Sequence, residues 1–143
     1  MLDGAARVKP HAFSQYARLP KYPDEPWRHN SIDHHDREDF LFMGYSARSE
    51  GFRYTEWRVW NGSARVWNGS ALQADWSDAG LVGVELYDHT SAKPSVVDYD
   101  ATENSNLLSP EGGGPPPAGS AAAAAAAELS TALRTAFAPP PAA

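Results

Sequence analysis

The stretch FLFMGYSARSEGFRYTEWRVW, residues 40–60, decides the fold because it reads as two strands joined by a turn. Residues 40–48 and 52–60 are each rich in aromatic and aliphatic side chains without helical spacing, which is typical of strands. The intervening SEG at 49–51 is made of residue types that favour turns. The stretch therefore predicts an antiparallel β-hairpin.

A third strand is predicted at LVGVELYD, residues 81–88. The connection before it, residues 61–80, is long for a hairpin. With the hairpin, this strand predicts a small antiparallel β-meander of three to four strands within residues 40–108. A core of that size is marginal and usually needs a further surface to pack against.

One helix is predicted over residues 120–138, which makes the fold class α+β. The alanine run at 121–127 has the highest helix propensity, and Ser120 can cap the first turn. Residues 109–119 before the helix form a Gly/Pro linker, and 139–143 form a tail. The apolar residues of the helix fall near one stripe: Leu129, Leu133, Ala136 and Phe137. The competing interpretation of the alanine run is a disordered tail.

Residues 1–39 are predicted to form an irregular, extended arm rich in proline and charge. Proline removes a backbone donor and favours extended geometry in the residue before it. The prolines of this arm are Pro10, Pro20, Pro23 and Pro26. Such an arm is expected to run over a surface supplied by another part of a protein.

The connection between the second and third strands contains one phrase written twice. Residues 58–64 read RVWNGSA, and residues 65–71 repeat it. Asn61 and Asn68 match the glycan acceptor pattern, but Asn-Gly is also a favoured turn dipeptide. We interpret the second copy as an in-frame duplication tolerated by a loop, because added loop length costs little free energy.

Composition argues against several classes of partner. The formal net charge is −6 and no basic block is present, which argues against nucleic acid and anionic membranes. Cysteine is absent, so disulfides, thiolate metal sites and a cysteine nucleophile are excluded. No run reaches transmembrane length and no signal peptide is visible, so the localisation is left unknown.

Three groups of residues are candidates for chemistry, and each has a simpler structural interpretation. The arm contains a cluster of histidine and aspartate residues, and imidazoles and carboxylates bind metal ions. The pattern of this cluster favours a solvated polar loop, so no metal site is assigned. Asp88-His89 would suit acid–base catalysis, but a hydrogen-bonded strand end is the favoured interpretation. The aromatic residues would stack on sugars or form the core, and the core is favoured. The cluster comprises His29, Asp33, His34, His35, Asp36 and Asp39, and the aromatics are Phe52, Tyr54, Trp57, Trp60, Trp67, Trp76 and Tyr87.

Several motifs in one order resemble the C-terminal subdomain of sulfatases of the iduronate 2-sulfatase type. They are AFSQYAR (12–18), MGYSAR (43–48), RYTEW (53–57), VELYDH (84–89), the Asn106-Leu107 pair and, more weakly, ELSTALRTAF (128–137). The family's segments resemble AFSQYPR, MGYSIRT, YRYTxW and ELYDH, so Ala17 stands where the family has proline. The stretch 91–100 is also longer than the family's link.

The resemblance implies sulfuric ester hydrolysis on a sulfated sugar or related anion in an intact enzyme. It also implies that this chain alone is catalytically inactive. The family's formylglycine comes from a Cys (or Ser)-x-Pro-x-Arg motif, which this chain lacks. The resemblance implies that formylglycine and calcium belong to a large N-terminal subdomain, which is the expected partner, so no catalytic residue and no cofactor are assigned to this chain.

The residues that would touch a sulfated substrate are chosen by charge: Arg18, Arg48 and Arg53. Each is also a plausible structural partner for a carboxylate. The family implies a lysosomal or secreted location. The alternative function is a free-standing Trp-rich module that binds carbohydrate or another partner.

Overall fold

The computed structural model describes residues 9–18, 40–60, 74–90, 102–110 and 113–139. They form a four-stranded antiparallel sheet in the order β1-β2-β3-β4, covered on one face by helix α1. This confirms the predicted α+β meander with one C-terminal helix. The elements are β1 (Ala12–Arg18), β2 (Phe42–Arg48), β3 (Phe52–Val59), β4 (Leu81–Asp88) and α1 (Ala121–Phe137).

The predicted hairpin is formed by β2 and β3. Arg48 lies opposite Arg53 at the end of the pairing, and the Ser49 amide donates to the Phe52 carbonyl at 2.9 Å. The Ser49 hydroxyl also lies 3.3 Å from the Phe52 amide. The short polar turn thereby fixes the register of the two central strands.

The fourth strand comes from the segment that the sequence assigned to the irregular arm. Ala12–Arg18 pairs antiparallel with β2 along its whole length, so the arm boundary at residue 39 is corrected for these residues. Six of the seven side chains of β1 are exposed. An edge strand of this kind is held mainly by backbone hydrogen bonds, so it lacks the apolar alternation from which strands are recognised.

The core lies between the sheet and α1. In β3 alternate side chains point to the helix, and the buried residues Met43, Tyr45, Ala47, Phe52, Tyr54 and Leu86 meet Ala125, Leu129 and Leu133 of α1. The helix begins as predicted, because the Ser120 hydroxyl accepts from the Ala123 amide at 3.1 Å. The predicted stripe is correct for Leu129 and Leu133 but wrong for Ala136, which is exposed.

The free edge of β4 is closed by the segment 102–110. The Asn106 side chain accepts from the Leu86 amide and donates to the Val84 carbonyl, both at 3.0 Å. The Leu107 amide donates to the Leu86 carbonyl at 2.9 Å. One asparagine and the backbone after it thus take the place of a fifth strand.

The two ends of the connection between β3 and β4 meet at the sheet. Trp60 forms an isolated antiparallel bridge with Ala74, and the Asp75 amide donates to the Val59 carbonyl at 2.9 Å. A short 3-10 helix, Asp78–Gly80, then leads into β4. The duplicated phrase therefore begins inside β3, and its residues from 61 onward lie outside the described residues.

Candidate functional site

The sheet face turned away from α1 carries all three arginines proposed from the sequence. Arg48 and Arg53 are directly opposite each other, and Arg18 lies opposite Phe42, six residues before Arg48 on the same strand face. Six residues of strand span about 20 Å. The arginines therefore share a face, but Arg18 lies at the opposite end from the Arg48–Arg53 pair.

Arg18 is part of a stacked group at one end of this face. Its guanidinium carbon lies 4.5 Å from the centre of the Trp57 ring, a distance typical of a cation–π contact. The indole also lies against the backbone of Gly44, where an added Cβ would come within 2.7 Å of the ring. The indole nitrogen donates to Glu85 at 2.9 Å. Trp57 is thus held by neighbours on three strands.

Arg53 is the centre of a second group at the other end of the face. Its Nη2 atom lies 2.9 Å from Glu103, and its guanidinium carbon lies 5.0 Å from the centre of the Tyr87 ring. Glu103 belongs to the segment 102–110 that closes the β4 edge. Arg53 therefore has the carboxylate partner that a structural role requires, on the same surface where a substrate contact was predicted.

His89 joins this second group from the end of β4. Its Nε2 atom lies 3.3 Å from the other oxygen of Glu103, and the residue is 4% exposed. Burial and the positive charge of Arg48 lower the pKa of His89, although Glu103 opposes the shift. The lowered pKa favours the neutral form of the imidazole.

The interpretation of Asp88-His89 as a hydrogen-bonded strand end is confirmed. Asp88 Oδ1 accepts from the Thr90 amide at 2.7 Å, and the His89 amide donates to the Gly51 carbonyl at 2.7 Å. The Thr102 hydroxyl lies 3.4 Å from His89 Nδ1, at the limit of a hydrogen bond. The hydrogen bonds of Asp88 and of the His89 backbone fix the end of β4.

Arg48 also borders an open cleft of about 620 Å³ beside the start of β1. The cleft is lined by Lys9, Pro10, His11, Ala12, Phe13, Arg48 and Ser49. The His11 Nε2 atom lies 2.7 Å from Glu128 of α1, so this imidazole ties the beginning of β1 to the helix. The lining is basic and accessible, which suits an anion better than a cation.

A charged network on the opposite, helix-facing side of the sheet was not predicted. Glu56 and Arg58 are both fully buried and are bonded to each other, with Arg58 Nε 2.9 Å from the carboxylate. Burial alone would raise the pKa of Glu56, but hydrogen bonds from Arg58 and Arg134 lower it overall. Their spacing of two along a strand was the available signal, because it places opposite charges on one face.

The Glu56 carboxylate links β3 to α1. It accepts from the Tyr54 hydroxyl at 3.0 Å and from Ser130 and Arg134 of α1 at 3.1 Å each. Arg58 in turn donates to the Ser77 carbonyl at 2.8 Å, ahead of β4. Since the carboxylate is saturated and closed to solvent, the network holds the helix to the sheet and is no binding site.

The aromatic residues divide between the two faces. Phe52 and Tyr54 are buried in the core, and Trp60 and Trp76 pack against it, which confirms the core interpretation for these four. Trp57 and Tyr87 lie on the arginine-bearing face instead. Trp67 lies outside the described residues.

Other predicted sites cannot be placed on the fold. Asn61 and Asn68, the candidate glycan acceptors, and the histidine-rich cluster at 29–39 lie outside the described residues. In the part of the chain that is described, no group of three or more His, Asp or Glu is arranged to hold a metal ion. No helix among these residues has both the length and the apolar character needed to cross a membrane.

Comparison with models of known protein families and with curated proteins found no match. A function for this chain is therefore inferred from its residues, from the resemblance of its motifs and from the geometry of the sheet.

Proposed function

We propose that this chain is the C-terminal portion of a sulfatase that resembles iduronate 2-sulfatase. The observation that carries the proposal is the agreement between motifs and elements. AFSQYAR is β1, MGYSAR lies in β2, RYTEW lies in β3, and VELYDH covers β4 and the residue after it. ELSTALRTAF is the C-terminal half of α1, and Asn106-Leu107 closes the β4 edge.

The agreement is most informative for AFSQYAR, because the other strand motifs lie in segments that strand propensity also predicts. AFSQYAR lies in the segment whose residue pattern predicts an irregular arm, yet it pairs with β2 along its whole length. The order of the motifs and the continuity of the sheet support a single subdomain.

In this proposal, the intact enzyme hydrolyses a sulfate ester on a sulfated sugar or related anion. The large catalytic subdomain is the partner and supplies formylglycine and calcium, since this chain has no cysteine and no Ser-x-Pro-x-Arg segment. Arg18, Arg48 and Arg53 are the candidate substrate contacts, because they place positive charge on the sheet face turned away from α1. The chain alone is inactive, and the intact enzyme is lysosomal or secreted.

The first test is the transcript upstream of the Met1 codon. We expect an in-frame segment that encodes Cys-x-Pro-x-Arg within a large α/β subdomain. The joined polypeptide, co-expressed with a formylglycine-generating enzyme, should then hydrolyse a fluorogenic aryl sulfate. The matched control replaces the modified cysteine of that segment by alanine and should lose this activity.

The isolated 143-residue chain provides the second arm of the test. With this chain, the aryl sulfate should be hydrolysed no faster than in buffer alone. A transcript without the catalytic segment, together with saturable binding of the isolated chain to a glycan, would refute the sulfatase proposal and favour the carbohydrate-binding module. Hydrolysis by the isolated chain would refute its assignment as inactive.

A further inference from the structure

The outer edge of β1 presents backbone groups that the sheet does not use. The Trp60 amide donates to the Leu41 carbonyl, and the Ser49 amide donates to the Phe52 carbonyl. The backbone N–H and C=O groups of the odd-numbered residues of β2 therefore point toward β3. The backbone groups of the even-numbered residues of β2 then point toward β1. Their partners on β1 are also even-numbered. The backbone groups that point away from the sheet are those of Phe13, Gln15 and Ala17.

This edge is accessible and nearly uncharged. Phe13 is 43% exposed and Tyr16 is 55% exposed, and Arg18 at the end of the strand is its one charged residue. Within the described residues, no hydrogen bond reaches the outward backbone groups of β1. The β4 edge differs, because Asn106 and Leu107 cover it. Long edges without charge or proline are templates for strand pairing.

We propose that β1 pairs antiparallel with β1 of a second copy of this chain, which joins two four-stranded sheets into one. The register that pairs all seven residues places Gln15 opposite Gln15 of the second copy. Phe13 then lies opposite Ala17, and Ala12 opposite Arg18. A strand paired with itself in this way forms a closed twofold interface.

The self-pairing is complementary in charge and in orientation. The two Arg18 side chains lie at opposite ends of the paired strands, about 20 Å apart, so no like charges face each other. The outward groups give three hydrogen-bonded residue pairs, 13–17, 15–15 and 17–13. The twofold axis runs perpendicular to the sheet, so both copies of α1 cover the same face. This inference does not depend on the sulfatase proposal.

The first experiment removes the outward donor at Ala17. In Ala17→Pro each copy loses one amide that points away from its own sheet, a position where edge strands accept proline. The loss of two interchain hydrogen bonds should weaken dimerisation at least about tenfold. Ala17→Ser keeps the amide and should dimerise like the unchanged chain, as measured by sedimentation across micromolar to sub-millimolar concentrations.

The second experiment uses the residue placed on the twofold axis. Gln15→Lys puts two positive charges opposite each other and should weaken the dimer, and Gln15→Glu should do the same with negative charges. An equimolar mixture of the two variants should restore it as a heterodimer. Circular dichroism checks that each variant stays folded.

Two results would overturn the inference. One is a chain that sediments as a monomer at every concentration, and the other is a dimer whose strength is unchanged in Ala17→Pro and in both Gln15 variants. A dimer of the second kind would place the interface elsewhere on the molecule. Neither result would bear on the transcript or on the aryl sulfatase activity.

Discussion

Glu56 shows how a buried charge can hold a small core together. It has no exposed surface, and its carboxylate accepts hydrogen bonds from Tyr54, Arg58, Ser130 and Arg134. Such a group costs desolvation energy, so its net contribution depends on all of the partners being present. Removing one partner is therefore more harmful than removing the pair.

Glu56→Gln is expected to destabilise the chain by about 3 to 5 kcal/mol, because it leaves the buried Arg58 without its counter-charge. The measurement is the free energy of unfolding in urea, followed by tryptophan fluorescence. The matched control, Glu85→Gln, changes a half-buried carboxylate on the other face and should stay within about 0.5 kcal/mol of the unchanged chain.

The double variant Glu56→Gln with Arg58→Met separates the two possible causes of this loss. Because it removes the unpaired charge, it should be more stable than Glu56→Gln alone. If the stability loss of the double variant instead equals the sum of the losses of Glu56→Gln and Arg58→Met, then Glu56→Gln does not leave Arg58 as an unpaired buried charge, and the explanation is wrong.

His89 predicts how stability depends on pH. Its pKa is lowered in the folded state from the ordinary value of 6.5, chiefly by burial and by Arg48. The unfolded chain therefore binds a proton more readily, and the free energy of unfolding should fall as pH drops below 6.5. The groups that surround the imidazole are Arg48, Arg53, Asp88 and Glu103.

The measurement is urea unfolding at several pH values on both sides of 6.5, kept above the range where carboxylates titrate. His89→Gln should flatten the slope in this interval, because it removes the titrating group. A slope that is the same with and without the imidazole would assign the pH dependence to another group.

The strands and the helix could be predicted from the sequence to different extents. β2, β3, β4 and α1 follow from aromatic runs, turn residues, alanine propensity and a capping serine, all of which act locally. β1 could not be predicted from its pattern, because an exposed edge strand is specified by its partner and not by its own alternation. The resemblance nevertheless singled out the same seven residues.

The candidate site was predictable only in its charges. Arg18, Arg48 and Arg53 were chosen as cations, and strand alternation then places them on one face. Their partners were not predicted, since Glu103 lies fifty positions from Arg53 in a segment that reads as a polar loop. Contacts at that sequence separation depend on the tertiary fold.

The Asn106 side chain closes the β4 edge. Its side chain makes three hydrogen bonds, with the Leu86 amide, the Val84 carbonyl and the Leu108 amide, each at 3.0 Å. Asn106→Ala should therefore cost about 2 to 3 kcal/mol. It should also lose hydrogen-exchange protection at the Leu86 amide.

The control for this variant is Asn104→Ala, two residues earlier at an exposed position. It should keep both the stability and the protection of the unchanged chain. Equal losses in the two variants would mean that the segment as a whole, and not the Asn106 amide, closes the edge.

Seen as a whole, the described residues form a sheet whose two faces carry different groups. The helix, the Glu56 network and the apolar core all lie on one side, whereas the arginines, Trp57, Tyr87 and Glu103 lie on the other. A sheet of this size with one packed layer is marginal on its own. Two of its surfaces have a proposed use: the arginine-bearing face for a catalytic subdomain and the β1 edge for a second copy.

The Trp60–Ala74 bridge has a consequence for how the gene can change. Because the chain leaves and re-enters the sheet at one closed point, gain or loss of a seven-residue unit after Trp60 alters no strand register. A length change inside β3 would instead reverse which side chains face the core. Gain or loss of one repeat unit after Trp60 should therefore leave the core-facing side chains of β3 in place, whereas the same change a few codons earlier should turn them to the other face.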